Sequence, residues 1–247
     1  MIRCIKICLN FFVLLGVALV ASCDAGDLPY PRLHDLDAGD GVKSSGERLM
    51  DLPVGLHALE DDVTEPKIML IGVHGYASEG YEWIYPLQTL DDNTTTTWFY
   101  RWNYNGCPGE PAEALRAAIE ENVTKFPTIE TVRVIGHSYG GVLVSYLIET
   151  DANTPLDIHA VAAPLAGMAG IGQRCDYSPP KSIGRNVSFH QWRTQHELDN
   201  AFNDLDEDPQ IIDLPGAKVT VLPDTYRGRR LGHNWSISWV ADELSGK

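Results

Sequence analysis

The stretch from Thr131 to Ile148, TVRVIGHSYGGVLVSYLI, limits the folds open to this chain more than any other. It begins with the β-branched Val132, Val134 and Ile135, passes through Gly136-His137-Ser138-Tyr139-Gly140-Gly141, and continues as an apolar segment long enough for a helix. The pattern predicts a strand, a sharp turn and a helix, with a serine at the turn. Gly136 and Gly140 flank the serine two residues away on each side, where a Cβ would clash as strand and helix come together. Ser138 is thereby presented at the tip, above the positive end of the following helix, where a nucleophile is wanted.

Other apolar runs supply the rest of the framework. Lys67 to Val73 (KIMLIGV) is continuous, as expected of a strand covered on both faces of a parallel sheet. Trp98 to Trp102, Ile158 to Ala163, Val187 to Thr194 and Lys218 to Leu222 read as further strands, and Gly55 to Glu60 as a short early one. Helices are expected from Pro111, whose Leu115, Ile119, Val123 and Phe126 share one face, and from Ser236 to Leu244. Alternating strands and helices call for an α/β fold with a mostly parallel central sheet and helices on both faces. Ligands in such folds bind beyond the carboxyl ends of the strands, where His74, Ser138, Pro164 and the segments after Thr194 and Leu222 fall.

With the elbow in hand, the chain resembles the lipase and esterase branch of the α/β-hydrolase family. The resemblance rests on Gly136 to Gly140, on Val73-His74-Gly75-Tyr76 after an apolar strand, on an acidic residue after a later strand, and on Gly232-His233-Asn234 near the end. It spans roughly residue 67 to the C-terminus and implies the chain order serine, acid, histidine. Serine hydroxyl needs an adjacent base and a third group to orient that base. The resemblance makes Ser138 the nucleophile and His233 the base, with His196 the one rival on position. For the acid, Asp199 is preferred because Asp199-Asn200-Ala201-Phe202 places an apolar anchor three residues on. Glu197, Asp204, Asp206, Asp208, Asp213 and Asp224 remain alternatives. The oxyanion donors implied are the backbone N–H groups of Tyr76 and Tyr139.

The expected activity is cleavage of carboxylic esters through an acyl-enzyme, with thioesters or amides open to the same machinery. The intervals from Pro164 to Asn186 and from Gln195 to Ala217 are too short for a large cap domain, which favours short or medium acyl groups on a small-molecule or lipid ester. A catalytically silent scaffold that binds a partner is the alternative from another class. A binding module, however, needs neither the serine nor the histidine. Tyr76, Tyr81, Trp83 and Tyr85 are read as packing in preference to an aromatic-lined cleft. The run Asp204 to Asp208 lacks the glycine and distal glutamate of a calcium loop and reads as solvated. No cysteine-histidine metal spacing and no phosphate-cradling loop occurs, so neither a metal nor a cofactor is expected.

The N-terminus carries Arg3 and Lys6, an uninterrupted apolar run from Phe11 to Ala21, and then Val20-Ala21-Ser22-Cys23. This is a secretory signal too short for a permanent membrane span. Small residues before a cysteine resemble a bacterial lipoprotein cleavage site, which implies a lipid on Cys23 and a membrane anchor at the cell envelope, facing the periplasm or exterior. An ordinary signal cut near Ala21 or Ala25 is the alternative. Residues 1–22 are thus read as signal, 23–54, rich in Gly, Asp and Ser, as a flexible tether, and 55–247 as one hydrolase domain. Cys107 and Cys175 are then the two cysteines left in an oxidising compartment, either paired or as two free thiols. The whole chain carries −15, and 19 − 2 = 17 bases against 34 acids leaves −17 once residues 1–22, with two bases and no acid, are removed. That balance disfavours a nucleic-acid partner.

Overall fold

The computed structural model describes residues 31–60, 63–168 and 174–246. The signal segment and Cys23 lie outside the described residues. Seven strands form one sheet in the order β1-β3-β2-β4-β5-β6-β7, comprising β1 (Gly55–Ala58), β2 (Ile68–Val73), β3 (Thr95–Arg101), β4 (Thr131–His137), β5 (Leu156–Val161), β6 (Val187–Arg193) and β7 (Lys218–Val221). Only β1 runs antiparallel, on β3; the other pairs are parallel. The strand β3 begins three residues before Trp98. Thr95 to Thr97 pair with Ile68 to Leu70, and β-branched threonines suit the ladder.

Alternation along the strands feeds two cores, one on each face of the sheet. Met69, Ile71, Val73, Val132, Val134 and Ile158 turn to the face covered by α3 (Gly109–Lys125) and α4 (Tyr139–Ser145). Leu70, Phe99, Ile135 and Val161 turn to the face covered by α1 (Val42–Met50), α2 (Tyr81–Leu90) and a C-terminal helix, α5 (Ser236–Ser245). Both faces are therefore dry, which is why these strands read as continuous apolar runs. Among the described residues, the connections after β5 and β6 contain no separate cap domain.

The segment read as a flexible tether differs. From residue 33 onward it is packed: Leu33, Leu36, Leu49 and Leu52 are buried in the second core, and the Leu33 N–H donates to Leu59 O at 2.8 Å. Its helix α1 buries Ser45 and Gly46 along with Leu49, so the contact face is largely small residues that hydropathy does not register. A Cβ at Gly46 would stand 2.4 Å from Tyr81 N and 2.5 Å from Glu79 O, so α1 sits backbone to backbone on the start of α2. α2 itself went unpredicted because Pro86 lies inside it and its N-cap, Gly80, supplies no capping side chain.

Cys107, after β3, and Cys175, after β5, form a disulfide with an S–S distance of 2.10 Å. It ties together two loops at the carboxyl end of the sheet.

Candidate active site

β2 has β3 on one side and β4 on the other, while the later strands add outward from β4. The chain thus changes direction of travel between β2 and β4, and their carboxyl ends open the crevice where such folds bind ligands. His74-Gly75-Tyr76 leaves β2 there, and Ser138 leaves β4 beside it.

Ser138 has φ 53° and ψ −122°, a positive-φ conformation that side chains other than glycine rarely adopt. Strain of this kind costs on the order of 1–3 kcal/mol and persists only where the surroundings impose it. Here they do. A Cβ at Gly136 would lie 2.4 Å from Gly140 O, and one at Gly140 would lie 2.3 Å from Val73 O and 2.5 Å from His74 O. The elbow is therefore wedged against the end of β2, and the Ser138 N–H is held by Val161 O at 2.9 Å. Gly75 lies against the serine itself, since a Cβ there would stand 2.9 Å from Ser138 Cβ.

The loop leaving β2 is fixed by His74. Its ring is fully buried, and Nε2 accepts from Arg101 Nη1 at 2.9 Å and from the Trp102 N–H at 3.2 Å. The proton therefore sits on Nδ1, which donates to Gly75 O at 2.9 Å. Burial, with the nearby Arg101 charge, lowers the His74 pKa to about 4 despite the opposing Gly75 bond, so the ring is neutral. Holding Gly75 O fixes the peptide whose other end is the Tyr76 N–H. Among the described residues that N–H has no acceptor. The Tyr139 N–H belongs to the first residue of α4, where helix geometry leaves donors unpaired. The Tyr139 ring is buried and its hydroxyl donates to Gly106 O at 3.1 Å, beside the disulfide. The Tyr76 ring is exposed and packs edge-on against Tyr104. Trp83 is fully buried and packs edge-on to Phe99, and the Tyr85 hydroxyl donates to Asp242.

On the other side of the elbow, Asp199 and His233 meet: His233 Nδ1 donates to Asp199 Oδ2 at 2.9 Å. Asp199 is fully buried and also accepts from Thr194 Oγ1 at Oδ2 and from the Ala201 N–H at Oδ1, 2.9 Å away. Burial pushes its carboxyl up, but the bonds from His233, Thr194 and Ala201 outweigh burial and hold it below the ordinary carboxylate value. It is an anion at neutral pH. With its proton on Nδ1, His233 has its Nε2 lone pair available to accept a proton, and among the described residues nothing bonds that nitrogen. Phe202 is buried and lies edge-on to the His233 ring, 5.1 Å between centroids.

Two features that hold this arrangement left no mark in the sequence pattern. His137, the residue before the serine, is buried, and its Nε2–H donates to His233 O at 3.1 Å, bringing the histidine loop to the elbow. Burial, with some help from the neighbouring His233, lowers the His137 pKa to about 3, so the ring stays neutral. Gln210, fully buried, accepts the Thr194 N–H through Oε1 at 2.9 Å and donates to Thr194 O through Nε2 at 3.1 Å, clamping the end of β6 from which Asp199 is presented. The competing residues fall elsewhere. His196 Nε2 bonds Phe202 O at 2.8 Å, Glu197 is exposed, and Asp224 accepts from Gln195 Nε2.

A cleft of about 560 Å³ opens beside the His233 ring and is lined by Asn200, Ala201, Arg229, Arg230 and Trp235 among others. The two arginines sit on a small hairpin, β8 (Thr225–Tyr226) and β9 (Arg229–Arg230), that immediately precedes the histidine loop.

No protein-family sequence model and no curated protein matches the chain. Solved structures do. A protein of unknown function from Agrobacterium tumefaciens, described as a candidate alpha/beta hydrolase, superimposes with TM-score 0.51 at 11% identity, covering 77% of this chain and 88% of that one. An alpha-beta serine hydrolase homologue from Coxiella burnetii gives TM-score 0.51 at 12% identity, covering 77% and 89%. The esterase domain of a Rhodothermus marinus protein gives 0.50 at 13% identity, again covering 77% and 89%. Likeness at this identity speaks to architecture, and with the mostly parallel seven-stranded sheet it shows that the chain has the α/β-hydrolase fold.

Proposed function

We propose that this chain is a serine hydrolase that cleaves carboxylic esters through an acyl-enzyme, with Ser138 as nucleophile, His233 as base and Asp199 as the orienting acid. The observation that carries the reading is the buried Asp199 carboxylate bonded to His233 Nδ1, on a loop tied by His137 to the strained serine elbow. In the first step His233 Nε2 takes the Ser138 proton as Oγ bonds the ester carbonyl carbon, and the carbonyl oxygen becomes an oxyanion. The backbone N–H groups of Tyr76 and Tyr139 are the donors assigned to that oxyanion. The imidazolium then protonates the departing alkoxide, leaving an acyl-serine and an alcohol. Water, deprotonated by the same nitrogen, releases the acid in a second addition and elimination. Asp199 keeps its charge throughout and offsets the imidazolium.

The short connections after β5 and β6 support short or medium acyl groups, on small-molecule or lipid esters. The Cys107–Cys175 disulfide supports residence in an oxidising compartment. With the leader described above, it supports an envelope protein anchored through a lipid on Cys23. Replacing Ser138 with Ala tests the assignment: hydrolysis of 4-nitrophenyl butyrate should vanish while the melting curve is retained, and a fully active variant would overturn it.

A further inference from the structure

We propose that Arg229 and Arg230 form an anion-binding subsite beside His233, so that the preferred substrate is an ester carrying a carboxylate or phosphate group. This rests on the serine-hydrolase reading above.

The chain is strongly acidic, with 34 Asp and Glu against 19 Lys and Arg, yet among the described residues no Asp or Glu lines the cleft at His233 and two guanidinium groups do. Four arginines elsewhere are paired with carboxylates, Arg116 with Glu113 and Glu120, Arg133 with Asp157, Arg185 with Asp151, and Arg227 with Asp242, whereas Arg101 and Arg193 spend their guanidinium donors on backbone and side-chain acceptors within the fold. Among the described residues neither Arg229 nor Arg230 has a carboxylate within ion-pair distance. Each is held in place without being neutralised. The Arg229 guanidinium lies over the Trp235 ring, 5.5 Å from its centroid, and Arg230 Nη2 donates to the amide oxygen of Asn200 at 2.7 Å. Asn200 adjoins Asp199 in the chain, Arg230 stands three residues before His233, and His233 itself lines the cleft.

The hairpin bearing the pair is itself fixed. Its turn, Arg227-Gly228, has φ 49° and 74°, the backbone of a tight two-residue hairpin. Asp242 of α5 accepts from the Tyr226 and Tyr85 hydroxyls and from Arg227 Nη2, which pins the hairpin's first strand to α2 and α5. Two preorganised, uncompensated guanidinium groups suit the paired oxygens of a carboxylate or phosphate. They also give an otherwise repulsive protein a local field that admits an anion.

Two ester pairs test this: 3-(butyryloxy)benzoate against its methyl ester, with the charge on the leaving group, and mono(4-nitrophenyl) adipate against 4-nitrophenyl hexanoate, with the charge on the acyl group. The readout is kcat/KM for the charged ester divided by that for its neutral partner. In at least one pair the ratio should fall about tenfold in R229Q/R230Q and by less in R229K/R230K, which keeps the charge and loses the fork. It should also fall in the native protein when sodium chloride is raised to about 0.5 M, a reading that does not depend on the variants folding. The responding pair identifies which side of the ester carries the anion. Ratios that move in neither pair, with hydrolysis otherwise normal, overturn the subsite and leave the hydrolase reading intact. If no ester is cleaved, that reading fails by itself, and isothermal titration with adipate judges the subsite: binding lost in R229Q/R230Q sustains it, and no binding to the native protein refutes it.

Discussion

Replacing Asp199 with Asn keeps the shape of the side chain and changes one oxygen to an NH2. Three donors meet the carboxylate: His233 Nδ1 and Thr194 Oγ1 at Oδ2, and the Ala201 N–H at Oδ1. A single amide oxygen cannot serve all of them. In one orientation it keeps His233 and Thr194 and sets the NH2 against the Ala201 N–H, leaving a buried donor unpaired at about 1–3 kcal/mol of stability. The charge opposite the imidazolium is gone, and losing about 1.5–3 kcal/mol from a charge-assisted bond lowers kcat roughly 10–150-fold. In the other orientation the NH2 faces His233 Nδ1 and drives the ring proton to Nε2, the nitrogen proposed to accept from Ser138; a wrong tautomer of this kind costs about 10⁴ in rate. The expected fall in kcat is therefore between about 10-fold and about 10⁴-fold, depending on the orientation the amide takes, read from initial rates on 4-nitrophenyl butyrate between pH 6 and 9, with circular dichroism melts to show that the variant is folded. If Asp199→Asn keeps more than a third of native kcat while Glu197→Gln loses it, the acid is Glu197 and the reasoning is wrong.

Acid should unfold the protein early. His74 and His137 titrate at about 4 and about 3 in the fold, both lowered chiefly by burial, against about 6.5 unfolded. The unfolded chain thus takes up protons first, and stability present above pH ~6.5 is lost as the pH falls toward 4 at up to about 2.7 kcal/mol per unit for the pair. Asp199, lowered from its ordinary value, adds its own loss only below about pH 4, whereas Glu82, raised by burial, offsets part of the slope near its own titration. Urea midpoints that do not move between pH 6.5 and 4.5 would contradict the buried neutral histidines. The disulfide closes a loop with sequence separation 68, so Cys107→Ser/Cys175→Ser should lose about 4 kcal/mol in the chain-entropy model, measured by urea unfolding; an unchanged midpoint would count against it. Cys23→Ser should move the protein from the membrane fraction to the soluble one, and an unchanged distribution would refute the anchor.

The elbow and the central strands were legible because burial on both faces and a tight turn each demand particular residue types: β-branched runs in the one case, Gly136 and Gly140 in the other. Asp199 could be favoured over its acidic neighbours because Phe202 follows it, and Phe202 is indeed buried against the His233 ring. Other features write no such signature. α1 meets α2 through Ser45 and Gly46, so its contact face resembles a polar tether, and α2 carries a proline where helix rules expect none. Gln210 reaches Thr194 from 16 residues away through a buried amide, and His137, a turn residue by its sequence neighbours, holds the histidine loop through its ring. Long-range polar clamps of this kind are set by the folded geometry and have no local period to read.

Labelling with a fluorophosphonate probe tests the central claim most directly, because the phosphorus is attacked fastest by a serine oxygen activated as Ser138 is proposed to be. Peptide mass spectrometry of the labelled native protein should place the adduct on Ser138, with labelling lost in Ser138→Ala and strongly slowed in Asp199→Asn. A folded protein that takes up no probe, or that carries the adduct on another serine, would contradict the account.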